Sequence, residues 1–222
     1  MKKIGIATIL SLLVFVMTTQ SCSLNGRDVN DSELSTIAPE LLLLGLRKRV
    51  SIRVNHYQVY CGFMDAGGIC NLLQEGAAIG GTVWSSNWGT GLAVQDYQLG
   101  NYYLLSADRV EILDPPADGS SFRYENIQIL QITPAAPDES FDLALRVDDG
   151  MTDPNGLYYF NSFLTLQSGV FYLGDQIPID CASAGLCTEL DNNLQVNQVI
   201  RGTFTHSSPS GTYVLNSLTV VP

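Results

Sequence analysis

The chain has 222 residues, 45% of them apolar and only 15% charged, a mixture that excludes an intrinsically disordered chain and a polytopic membrane protein. Its length permits one domain or at most two, at roughly 100 to 200 residues per domain. With 11 basic against 22 acidic residues the net charge is -11, which excludes a nucleic-acid binder working through a basic face.

In chain order, Lys2 and Lys3 precede a largely apolar run from Ile4 to Met17, and Thr18 to Ser21 lead out of it to Cys22. A charged start, an apolar middle and a small-residue exit make a secretory signal. The apolar run is 14 residues long, short of the roughly 20 that a spanning helix needs. The tetrapeptide Thr19-Gln20-Ser21-Cys22 resembles the lipobox of bacterial lipoproteins, with Thr19 standing where that pattern favours Leu. The resemblance covers only these first residues. It implies that residues 1–21 are cleaved away, that the sulfur of Cys22 carries a diacylglycerol, and that Cys22 becomes the mature N-terminus. Ser23 in place of Asp implies passage to the outer membrane, so the expected partner at this end is the membrane itself, through the lipid anchor.

Residues 23–38, SLNGRDVNDSELSTIA, are polar and have no apolar period, so residues 22–38 are expected to form a tether. A β-rich domain is expected over 39–222. Pro39 opens the run LLLLGL and Arg47, Lys48 and Arg49 close it, an order that fits a short N-terminal helix; four successive leucines fit a buried strand equally well. From Val50, apolar Val50, Ile52 and Val54 alternate with Ser51, Arg53 and Asn55, the period of a strand.

Further strand-like runs follow around 79–84, 102–113, 122–132, 141–147, 157–166, 170–179, 196–205 and 212–221. Asp118-Gly119, Asp149-Gly150, Asn155-Gly156 and Ser210-Gly211 supply turn residues between them. VIRGTFTH, SSPSG and TYVLNSLTVV read together as a C-terminal hairpin. The expected fold is all-β, a single antiparallel sandwich, with an up-and-down barrel as the alternative architecture.

With Cys22 assigned to lipid, Cys61, Cys70, Cys181 and Cys187 remain, an even set in an exported chain. Short separations favour Cys61 with Cys70 and Cys181 with Cys187, and these spacings miss the close cysteine pairs of a zinc clasp. His56 and His206 are the only histidines, and no nucleophile elbow, zinc-protease helix or phosphate loop is present. Two weaker candidates stand out. Asp148, Asp149, Asp153 and Asn155 crowd the glycine-containing loop DDGMTDPNG, an oxygen-rich set of the kind calcium takes, although a solvated acidic turn has the same composition. Trp84 and Trp88 flank Ser85, Ser86 and Asn87, a polar setting in which an indole becomes a stacking platform for a sugar, unless both cap the core.

Charge is distributed unevenly: residues 54–222 hold 18 acidic and 4 basic side chains, whereas Arg47, Lys48, Arg49 and Arg53 cluster next to the tether. That run either meets anionic lipid or is neutralised by the acidic body. The expectation is an exported, outer-membrane-anchored module that works by binding, with a glycan as the candidate ligand. A structural or accessory role beside envelope protein partners is the alternative, and a hydrolase using paired carboxylates the third reading. No cofactor is expected unless the acidic loop takes calcium.

Overall fold

The alternation that opens the domain produces its longest strand, β1 (Arg47–Cys61), in which Val50, Ile52 and Val54 are buried and Ser51 is exposed. The computed structural model describes residues 47–61, 67–117, 119–152, 158–207 and 211–221. Cys22, the tether and the leucine run lie outside the described residues, as do Asp153, Asn155, Asp118 and Ser210. Arg47, Lys48 and Arg49 do not end a helix. They are the first residues of β1, aligned with Val110, Arg109 and Asp108, because on a strand Arg47 and Arg49 both face acids of the neighbouring strands.

After β1 come β2 (Gly68–Glu75), β3 (Ser85–Ser86), β4 (Asn101–Glu111), β5 (Phe122–Pro134), β6 (Phe141–Thr152), β7 (Tyr158–Ser162), β8 (Leu164–Gln167), β9 (Val170–Leu173) and β10 (Ile177–Cys181). A helix, α1 (Ala184–Leu194), leads to β11 (Val199–His206) and β12 (Tyr213–Val221). They build two open sheets, ordered β3-β2-β1-β4-β5 and β7-β6-β11-β12-β10-β9-β8, in an all-β sandwich rather than a closed barrel. One pairing departs from the antiparallel expectation: β10 runs parallel to β12, since α1 carries the chain across before β11 and β12 return as a hairpin.

Each sheet carries its own apolar cluster. In the first, Val50, Ile52 and Val54 meet Tyr103 and Leu105, under Leu92 and Val94 of the β3–β4 connection. In the second, Leu145, Ile200, Phe204 and Leu215 form one cluster with Leu190 of α1, and Tyr57, Val59 and Tyr60 from the far half of β1 pack against it. Burying each such side chain contributes about 1.5 to 3 kcal/mol, so β1 ties both clusters together. The join is tight at Gly174, whose φ of 56° and whose absent Cβ, which would lie 2.7 Å from Ile69 Cδ1, both require glycine.

Both local cysteine pairs stand at bonding distance, with Cα–Cα separations of 5.8 Å for Cys61–Cys70 and 5.6 Å for Cys181–Cys187. The second ties the first turn of α1 to the end of β10. Two expected segments differ. Residues 79–84 are not a strand; the pairing partner of β1 lies upstream in β2, and a short 3-10 turn at Gly76–Ala78 follows it. Asp149 and Gly150 lie within β6 rather than in a turn.

Candidate functional site

The outer face of the first sheet is shaped by one buried amide. Gln74 on β2 is only 1% exposed. Its Nε2 donates to the carbonyls of Gly81 (2.7 Å) and Val83 (3.1 Å), and its Oε1 accepts from the Gly80 N–H (3.0 Å). The side chain thereby engages both donors and its oxygen on the segment after β2 and folds that segment back over the sheet. Trp84, at the end of this segment, is brought to Arg53, the neighbour of Gln74 in the β1–β2 register.

Arg53 alternates outward from Ile52 and Val54, and its guanidinium carbon lies 4.4 Å from the Tyr102 ring centroid and 5.7 Å from that of Trp84. Among the described residues it makes no hydrogen bond or ion pair. That sets it apart from Arg47, Arg49, Arg109 and Arg123, all of which pair with carboxylates at 2.6–3.3 Å. An open cleft of about 300 Å³ lies beside Arg53, bounded by Ile79, Tyr102, Leu104, Gln131 and Thr133. A second cleft of about 390 Å³ holds Arg109 stacked 3.9 Å over Phe122, but its guanidinium is occupied by Glu75 and Glu111.

Behind Tyr102 runs a polar chain into the junction between the sheets. The Tyr102 hydroxyl donates to Glu139 Oε1 (2.5 Å), and Glu139 Oε2 accepts from the Ala136 N–H (3.1 Å). Burial, and after it the bond to Glu139, pushes the phenol well above its usual range; burial opposes ionisation of Glu139, but the Tyr102 and Ala136 bonds outweigh it and hold that carboxyl low. Glu139 Oε1 lies 3.7 Å from His56 Nε2, and His56 Nδ1 lies 2.8 Å from His206 Nε2. The two histidines, 150 residues apart, are thus joined directly.

A bulge in β1 makes this possible. Its register with β2 jumps from Val54↔Leu73 to Gln58↔Asn71, so Asn55 and His56 are both buried although they are adjacent. Asn55 Oδ1 accepts from the His56 N–H (2.8 Å), and the Tyr97 hydroxyl donates to the Asn55 carbonyl (2.8 Å), which satisfies the backbone that the bulge frees. The Glu139 carboxylate favours a proton on His56 Nε2, so that Nδ1 accepts from the His206 Nε2–H. Burial lowers the pKa of His56 to about 4 and lowers that of His206 as well. The pair is neutral at pH 7.

The two tryptophans do not form one platform. Trp84 is half-buried against Arg53, whereas Trp88 is 48% exposed and lies over Gly68 at the start of β2. In the acidic loop, Asp148 and Asp149 lie in β6, while Asp153 and Asn155 are outside the described residues. Two of the four cations in the run are held by acids: Arg47 reaches Glu125 at 2.6 Å and Arg49 reaches Asp108 at 3.0 Å. Asp108 and Glu125, opposite each other in the β4–β5 register, are a facing carboxylate pair. Bonds from Asn126 and then Arg49 hold Asp108 below the usual carboxylate range, so it is not a proton donor.

Sequence patterning singled out Trp84 and, since neighbours on a strand face opposite sides, one ring of the Tyr102-Tyr103 pair, which the structure shows to be Tyr102; it missed Glu139 and Gln74, and noted the two histidines without joining them. The usable signal was Arg53 itself, an arginine on the polar side of a clear alternation and next in register to strands of either neighbour. Comparison of the chain with protein-family models, with curated proteins and with solved structures returned no match.

Proposed function

We propose that this chain is an exported module, anchored to the outer membrane through acylated Cys22, that binds a ligand on the outer face of its first sheet, with a glycan as the ligand class. The observation that carries this reading is Arg53, held against Trp84 and Tyr102 with its donors unengaged at the edge of the cleft. The Tyr102 ring in the cleft wall, a free guanidinium and the polar groups of Gln131 and Thr133 are what a small polar ligand with an apolar face requires. The test is a glycan array probed with the full chain purified in detergent, then titration of any ligand found. Trp84→Ala should weaken binding at least tenfold while Trp88→Ala leaves it unchanged; equal effects of the two would remove this cleft as the site.

A second reading, a subunit of an envelope complex, is favoured by a separate observation. β5 is an edge strand whose Ile129, Leu130 and Ile132 are 43%, 57% and 53% exposed. Unpaired backbone beside exposed aliphatics is a surface that a partner strand covers. Silence across the array, combined with envelope proteins co-purifying with the wild-type chain but not with an Ile129→Lys/Ile132→Lys variant, would establish this reading in place of the first.

A further inference from the structure

Resting on the ligand-binding reading above, we infer that the ligand carries a carboxylate, as in a uronic- or sialic-acid saccharide, and that Arg53 is the group that recognises it. A guanidinium is planar and presents paired N–H groups along its edges in a fork that matches a carboxylate. Tyr102 at 4.4 Å and Trp84 at 5.7 Å bear on the Arg53 guanidinium through their rings, which fixes the side chain without engaging its N–H groups. A cation held by rings alone is preorganised and loses little rotamer freedom when a ligand arrives.

Four other arginines show what a cation on this body ordinarily meets. Residues 54–222 hold 18 acidic side chains against 4 basic ones, so carboxylates are abundant partners, and Arg47, Arg49, Arg109 and Arg123 each take at least one. Glu139, whose carboxylate feels the Arg53 charge, accepts bonds from the Tyr102 hydroxyl and the Ala136 N–H instead. Arg53 is therefore a cation whose internal partner is occupied elsewhere, beside a cleft.

Gln131 Nε2 donates to Thr133 Oγ1 (3.1 Å), leaving the Gln131 carbonyl and the Thr133 hydroxyl to meet sugar hydroxyls, while Ile79 and Leu104 offer apolar contact to a ring face. A carboxylate on a polyhydroxylated ring satisfies all three sets of groups. A bare anion satisfies only Arg53.

The experiment is an array on which uronic- and sialic-acid glycans are printed beside the same glycans with the carboxyl esterified, probed with the full chain in detergent, with inorganic phosphate as competitor. The expected result is signal on acidic members, at least tenfold weaker on their esters, and persistence of signal in about 10 mM phosphate, because a bare anion that meets only Arg53 is a weak competitor. Arg53→Gln should remove the preference for acid over ester, and Arg53→Lys should restore only part of it, with unchanged melting temperatures showing that both variants fold. Equal signal on acids and esters would overturn the carboxylate inference and leave the ligand-binding reading standing. Loss of signal to phosphate would overturn the saccharide part, and silence on every glycan would overturn both.

Discussion

Acidification should loosen the junction between the sheets, because the histidine pair that lies there is built for the neutral form. His56 is 3% exposed and has its pKa lowered by burial from 6.5 to about 4. Glu139 offsets part of that penalty, whereas His206 and Arg53 add to it; Tyr57, Tyr102, Phe141 and Tyr213 complete the wall of rings around the pair. Between those two pKa values the unfolded chain binds a proton that the folded chain refuses, so stability is full above pH 6.5 and falls as pH falls towards 4. Integrating over that window gives a loss of about 2 kcal/mol at pH 5 relative to pH 7.5 for His56 alone, and His206 shifts stability in the same direction. The geometry agrees, since two protonated rings would place N–H against N–H at a separation of 2.8 Å. Urea unfolding at pH 7.5 and 5 measures the difference directly, and thermal unfolding should show a drop of about 4 to 8 °C. His56→Phe/His206→Phe keeps rings in the cluster and should flatten the pH dependence whatever its absolute stability. A loss below about 0.5 kcal/mol in the wild type, or an undiminished slope in the double variant, would refute the reasoning.

Three further predictions follow from single contacts. Gln74→Leu leaves the Gly80 N–H and the Gly81 and Val83 carbonyls without their partner, so it should cost about 2 to 3 kcal/mol in urea unfolding and shift Trp84 emission to the red as the segment lifts; unchanged emission would show that Gln74 does not hold Trp84 in place. Cys181→Ser/Cys187→Ser opens a loop of sequence separation 6 and should cost about 2 kcal/mol, detected as a lower urea midpoint with the β-sheet circular dichroism retained. Cys22→Ala should abolish incorporation of labelled fatty acid and move the protein from the membrane fraction to the soluble one; continued labelling would refute the anchor.

Legibility of the fold in the sequence depended on how local each determinant is. The Val50–Ile52–Val54 alternation and the C-terminal hairpin were visible because period two and a turn lie within a few residues, and the hairpin register indeed runs from Val199↔Val221 to His206↔Tyr213. α1 was missed although Leu186, Leu190 and Leu194 recur at helical spacing, since only Leu190 is buried and Gly185, Asn192 and Asn193 dilute the pattern. β2 was missed for a different reason. In GICNLLQE the adjacent Cys70 and Asn71 are both buried, as are Leu73 and Gln74, because a folded-back segment covers the outer face and removes the alternation that a one-sided strand would show.

The candidate site escaped sequence reasoning because its members meet only through register. Arg53 and Tyr102 are neighbours through the β1–β4 pairing, Trp84 arrives through the Gln74 clamp, and His56 and His206 come from opposite sheets. Yet the residues that break the apolar pattern of the first sheet's interior are the ones that build the site. Asn55 and His56 are polar where the alternation of β1 stops, and Gln74 is polar where β2 is covered on both faces. Burying such groups costs about 1 to 3 kcal/mol each unless every donor and acceptor is met. Gln74 meets all of its partners on the segment that carries Trp84, and Asn55 Oδ1 accepts from the His56 N–H at the bulge that turns His56 inward. A sandwich needing only stability would have filled these positions with aliphatics, so the polar exceptions serve to position Trp84 beside Arg53 and the histidine pair behind Tyr102.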